Sequence, residues 1–389
     1  MFYGSLSAMR QMVDVTGEVE MGLVQITRVM NDISINTDEL RRSLIQLGKD
    51  YGMVWSDVEN IATRWAQAGY NAEEVVRLTE TSLLALNTAE LDARYATEGL
   101  IAIMAQWQLT AEDLLPVIDK INKTADDFPV TSQDLVDGLN RSSGAARIMG
   151  LTLEETIAIL TTMREATGRT GKEIGNALNS ILSFVQREKA INVFEDLGIK
   201  VFADEAKTQF RSVMEIFDEL ASRWQDDSIS EAAKNQLVDI ADVAGLYTEE
   251  MAEAAGVMDE YEQAVDAAAK AQGKFSDIEQ RDAAQAAAGI YRRNYLVALL
   301  KNWSRVYDVL EAQSQSHGYS MRENEVTMAA YEKQVQSLKT ALVELATEVM
   351  NAGLLDVFKS ITSGATDAAS AFSALPEPIK KVIGIFGAL

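Results

Sequence analysis

No proline occurs between Pro129 and Pro376, and the residues in that run are dominated by Ala, Leu, Glu, Gln, Met and Lys. Proline removes an amide donor and its ring clashes with the preceding turn, so a chain without it can be helical throughout on backbone grounds. Only Pro116, Pro129, Pro376 and Pro378 interrupt the 389 residues, against 23 glycines, so helices punctuated by glycine are expected. With 47% hydrophobic and 24% charged residues the chain can bury a core. The fold class read from this is all-α: multi-helix bundle and hairpin modules joined by glycine turns. The stretch Leu197-Gly198-Ile199-Lys200-Val201-Phe202 is β-branched and alternating, which allows at most a short strand near 199–202.

Helix starts are signalled by an oxygen-bearing cap with an acid three residues on, which can reach back to the cap backbone. Ser56 with Glu59, Asn71 with Glu74, Thr110 with Asp113, Thr131 with Asp134 and Thr152 with Glu155 fit this pattern. Gly48, Gly69, Gly99, Gly150 and Gly168 are placed where a left-handed residue commonly ends a helix. Tyr51-Gly52-Met53-Val54-Trp55-Ser56-Asp57 lines up with Met149-Gly150-Leu151-Thr152-Leu153-Glu154-Glu155, which suggests a weakly duplicated helical hairpin. The expected domains are an N-terminal helical module (1–196) and a helical connector, alanine-rich at its end (197–279). A C-terminal helical hairpin module (280–389) follows and runs into a short apolar end that stops abruptly. The alanine-rich stretch Ala264–Ala288 reads as a flexible link or a closely packed helix.

A long helix is predicted from about Arg322 to Asn351, after a turn at His317-Gly318-Tyr319-Ser320. In it, Met328, Tyr331, Val335, Leu338, Leu342, Leu345 and Val349 step alternately by three and four, a heptad seam. The seam can pack in an antiparallel hairpin on Leu296, Leu300, Trp303, Tyr307 and Leu310, or form a coiled coil between copies of the chain.

A net charge of −24 works against nucleic-acid binding, since holding phosphates requires Lys and Arg to displace counterions. The basic pairs Arg41-Arg42, Arg292-Arg293 and Lys380-Lys381 read as solvated faces. Zero cysteines exclude thiol catalysis and cysteine-ligated metals, and His317 is the only histidine, which removes histidine triads and multi-histidine sites. The run Gly168 to Gly175 is not a phosphate loop, because that pattern needs glycine where Ala166 stands and Ser or Thr where Glu173 stands. The acid pairs Glu154-Glu155 and Asp126-Asp127 read as helix starts, where the dipole favours the ionised form, and Trp55, Trp65, Trp107, Trp224 and Trp303 lie among apolar positions suited to a core. No catalytic residue, cofactor or metal site is expected, and no apolar run reaches the ~20 residues of a membrane helix.

The span from Ala286 to Asn351, with "AAGIYRRNYLVALLKNW" followed by "GYSMRENEV", resembles the core of phage tail tape measure proteins. Arg322-Glu323-Asn324-Glu325 is the most specific part of that resemblance. Gly138 to Leu182, Leu197 to Phe202 and Asp50 to Leu83 are similar to the same family in the same order. The resemblance implies a non-enzymatic structural protein of the virion tail lumen, made in the bacterial cytoplasm, which templates tail length and leaves before DNA at ejection. It also implies tail tube protein, tail assembly chaperones and tail-tip proteins as partners, with copies of the chain self-associating. The family's long repetitive spacer and membrane-like segments are absent from this sequence, and no hydrolase module is visible. The residues by themselves leave open an all-α adaptor or secretion-associated interaction protein.

Overall fold

The computed structural model describes residues 2–30, 36–88, 93–224, 275, 277–351 and 375–386. Among them lie sixteen helices and no sheet, so the protein is all-α. The strand expected near 199–202 reduces to one antiparallel bridge between Phe202 and Phe210. The connector between 225 and 274 lies outside the described residues. The chain divides into two compact units, one of Met1–Asn122 with His317–Leu389 and one of Lys123–Ser316. In the Leu197–Phe202 stretch Ile199 and Val201 are buried. The Arg223 guanidinium, in the helix that follows, also donates to the Leu197 carbonyl at 2.9 Å.

The first unit contains α1 (Phe2–Val29), α2 (Thr37–Asp50), α3 (Trp55–Gln67), α4 (Ala72–Thr88) and α5 (Ala93–Trp107). It also holds most of α6 (Leu114–Asp127), with α14 (Tyr319–Met328), α15 (Tyr331–Val349) and α16 (Glu377–Phe386). Met9 and Met12 of α1 pack with Ala346, Val349 and Met350 and with Ile383 of α16. The apolar C-terminal run therefore joins a core as far as Ile383, and the side chains after it lie outside the described residues.

The second unit contains α7 (Ser132–Ile148), α8 (Leu153–Thr167), α9 (Gly171–Val185), α10 (Glu188–Asp196), α11 (Val213–Arg223), α12 (Asp277–Lys301) and α13 (Ser304–Ser314). The described end of the alanine-rich stretch is core: Ala283, Ala284, Ala286, Ala287 and Ala288 are buried on α12, which packs on α9. Small side chains let the two backbones approach. Leu296, Leu300 and Trp303, expected to face the heptad seam, are buried in this unit, where the Trp303 ring meets Phe217 edge-on at 5.6 Å.

One stop device recurs. At Tyr51-Gly52-Met53 three amides return to Leu47, Lys49 and Gly48 carbonyls, with Gly52 at φ 56°. Met149-Gly150-Leu151 returns to Ala145, Arg147 and Ala146 in the same register, with Gly150 at φ 74°. The expected correspondence between these turns is thus matched bond for bond. Ala68-Gly69-Tyr70 and Leu197-Gly198-Ile199 make the same three bonds, so this turn by itself reports helix-stop chemistry more than duplication.

Starts were mostly legible as well. Asn71 and Glu74 exchange bonds of 3.0 and 2.9 Å, and Thr152 with Glu155 forms a full capping box. Ser56 does not cap: α3 opens at Trp55 after Val54, and the half-buried Glu59 carboxyl is held above the usual range by desolvation and then by Glu18. Gly48 and Gly99 lie inside α2 and α5, not at their ends.

Candidate functional site

In the first unit the family-like turn is built around a buried polar node. Gly318 takes the left-handed conformation, φ 67°, and opens α14. Asp119 of α6, only 3% exposed, accepts from the Gly318 amide at 2.8 Å and from the Ser320 amide at 2.9 Å. Those amides begin a helix and have no intrahelical acceptor, so a carboxylate there satisfies two donors and meets the positive end of the helix dipole. Asn122, one turn along α6, donates to Ser320 Oγ at 2.8 Å. Asn87 of α4 donates to Asn324 Oδ1 at 2.8 Å and to the Tyr51 carbonyl at 2.9 Å, while its Oδ1 accepts from Lys333 Nζ at 2.6 Å. Burial pushes the Lys333 ammonium below the usual lysine range. Of the four residues Arg322, Glu323, Asn324 and Glu325, only Asn324 enters the node. Arg322 and Glu325 are exposed and Glu323 is half-buried.

The long helix predicted over 322–351 is two helices, separated where Ala330 is extended at φ −65°, ψ 139°. The seam residues consequently do not form one stripe. Leu342, Leu345 and Val349 pack on the Met9 and Met12 cluster, whereas Tyr331 is 83% and Leu338 60% exposed. Met328 and Val335 are half-buried. The face that α15 turns to α2 is polar: Thr340 Oγ1 donates to the Met53 carbonyl at 2.6 Å, and Lys49 pairs with Glu344 at 2.6 Å. Leu342→Asp should therefore cost about 2 kcal/mol or more, and Leu338→Asp should stay within about 0.5 kcal/mol. Urea unfolding of the two variants checks this, and equal losses would show that the seam is buried as one face.

In the second unit α7, α8 and α9 meet at glycines. A Cβ on Gly171 would lie 2.1 Å from the Asp134 carbonyl oxygen, and one on Gly175 would lie 2.6 Å from the Gly138 carbonyl oxygen. The two backbones touch, which only glycine permits. Asp134 locks the junction: its carboxylate accepts from the Gly171 amide at 2.6 Å and from Arg164 Nε of α8 at 2.9 Å. Burial opposes ionisation of Asp134, but these donors outweigh it and hold the carboxyl below the usual range. A depressed carboxyl stabilises the fold above its unfolded pKa of about 4, and that contribution is lost as the pH falls through the folded value. Stability measured by urea unfolding should fall with acidification below about pH 4, less steeply for Asp134→Asn than for the parent. Equal slopes would remove Asp134 from the cause.

The run Gly168 to Gly175 is this junction's turn and helix start, with Gly168 as the left-handed cap of α8 and Thr170 and Glu173 closing a capping box on α9. Among the described residues no group of three His, Cys, Asp or Glu is placed to hold a metal ion, and no helix is long and apolar enough to cross a membrane.

Residues 41–240, more than half of the chain, match the family described as Phage-related minor tail protein. The chain belongs to that family. The matched span of this minor tail protein holds most of α2 and all of α3 to α11, and with them the glycine junction, Asn87 and Asp119. Arg322 to Glu325 lie outside it. A probable tape measure protein of Escherichia phage P2 is 25% identical over 228 residues, covering 56% of this chain and 26% of that protein. A tape measure protein of Pneumococcus phage Dp-1 is 23% identical over 183 residues, 46% of this chain and 16% of that protein. The chain thus spans about a quarter or less of the length of these curated relatives. No solved structure matches it.

Proposed function

We propose that this chain is a folded, structural and non-catalytic module of a tail tape measure protein, housed in the tail tube lumen and acting in tail assembly and length determination. The observation that carries this reading is the family match over 41–240 together with the two tape measure relatives. Tail tube protein, tail assembly chaperones and tail-tip proteins are its partners in this reading, and the module leaves the tube before DNA at ejection. A net charge of −24 suits a chain that must slide out without adhering to DNA. Copies of the chain associate through the exposed seam residues Tyr331 and Leu338, continuous with half-buried Met328 and Val335.

Cross-linking of intact virions followed by mass spectrometry tests the placement. Links from this chain to tail tube protein, lost after DNA has been ejected, are the expected result; a chain recovered only outside the virion would sink the proposal. For self-association, light-scattering mass of the purified chain should drop on Leu338→Asp, and an unchanged mass would remove the seam from the contact.

A further inference from the structure

Within the second unit a cavity of about 660 Å³ opens beside a break in α12. Gly289, at φ 67° and ψ 174°, interrupts the helix, which resumes at Ile290. Three cations line the cavity, Arg187, Lys189 and Arg292, and its lining contains no carboxylate. Among the described residues none of the three is held in an ion pair. Elsewhere in the unit Arg164, Arg211 and Arg305 are matched by Asp134, Glu219 and Glu165. Glu173 is near enough to feel Arg292, yet among the described residues no carboxylate bonds any of the three. In a chain with 59 acidic and 35 basic residues, three such cations around one cavity favour an anionic occupant.

Two further features add to this. The helix α10 begins next to Arg187 with no side-chain cap, so its first amides are free to donate at the same rim, although Glu188 in its first turn offsets part of the positive charge of that start. The cavity is also largely apolar: it is lined by Phe184, Ile290 and Tyr291, the last two 65% and 91% exposed. A pocket of this volume has room for a bulky side chain together with part of the segment that carries it, with polar groups at the mouth fixing its orientation. The Arg187 guanidinium stacks 3.6 Å from the Phe184 ring centre, which holds its donors at the rim in advance of binding.

We propose that this cavity docks an acidic peptide segment of another protein, one apolar side chain entering beside Phe184 and flanking carboxylates meeting Arg187, Lys189 and Arg292. Single-stranded nucleic acid is the poorer fit. Its bases need free aromatic faces in series, and here one face of Phe184 is taken by Arg187, which leaves Tyr291 as the one open ring in the lining. A long polyanion would also meet the −24 charge of the chain.

The test is fluorescence anisotropy with the full chain and three labelled probes: an acidic peptide carrying a single Phe, the same peptide with Ser for Phe, and oligothymidylate. The Phe peptide should bind saturably and more weakly as salt rises. Its affinity should fall about tenfold or more in Arg187→Glu/Arg292→Glu, and less for Lys189→Glu alone. The Ser peptide should bind more weakly than the Phe peptide. Both variants change exposed or half-exposed residues, and unchanged thermal melting would confirm that they fold. Absence of saturable binding of the Phe peptide, equal affinity in the double variant, or tighter binding of oligothymidylate overturns the proposal.

Discussion

Gly171→Ala should destabilise the protein by about 3 kcal/mol or more, because the added methyl group falls 2.1 Å from the Asp134 carbonyl oxygen and 2.5 Å from its Cα. Backbone atoms cannot rotate away as a side chain can. Relief requires α9 to lift from α7, which would also stretch the bond from the Gly171 amide to Asp134 and the packing of Ala177 and Leu178 behind it. For a unit of this size the thermal midpoint should drop by roughly 6 to 12 °C. Gly175→Ala meets the Gly138 carbonyl oxygen at 2.6 Å and should behave alike. Gly144→Ala is the control: it lies on the same helix as Gly138, has nothing within 4 Å, and should be neutral or gain up to about 1 kcal/mol from helix propensity. Similar losses at all three positions would mean that glycine is needed for some reason other than helix contact.

Asp119→Ala should cost about 2 to 4 kcal/mol in the other unit, since it strands the Gly318 and Ser320 amides at a buried helix start. Asp119→Asn keeps one acceptor oxygen and should lose about half as much. Hydrogen exchange distinguishes the cause from general loosening: the Ser320 amide, on a fully buried residue, should exchange much faster while amides in the α1 core keep their protection. A uniform rise in exchange would argue against a local cap.

The helical class, the glycine stops at Gly69, Gly150 and Gly168 and the paired caps at Asn71 and Thr152 could be read from the residues because each is settled by its immediate neighbours along the chain. The polar node could not be found in this way. Asn87, the pair Asp119 and Asn122, and Asn324 are far apart in sequence, and each looks like an ordinary solvated residue. A fainter signal was present in α6, where Asp119 and Asn122 interrupt the apolar spacing of Val117, Ile118 and Ile121, all buried. Two polar residues one turn apart on a core-facing stripe imply a shared partner.

The heptad pattern misled in a different way. Periodicity records where apolar residues recur, not which helix receives them, and nothing in the spacing signals the extended Ala330 that splits the run. Its partner face on α2 is met through Thr340 and Glu344, residues that a hydrophobic count passes over. The glycine junction was visible only as a turn, because the close approach of Gly171 and Gly175 to α7 is a property of two helices at once.

The first unit is assembled from chain segments that precede Lys123 and follow Ser316. A ribosome working at about 5 to 20 residues per second needs roughly 10 to 40 seconds to traverse the stretch between them. During that interval Asn87 and Asp119 have been made but α14 and α15 have not, and the parts of α1 and α4 that those two helices cover stay open to water. The second unit is contiguous and can complete its core before its neighbour does. Nascent-chain proteolysis should therefore find the helices α7 to α13 protected first, and the N-terminal helices, although synthesised earlier, secured last.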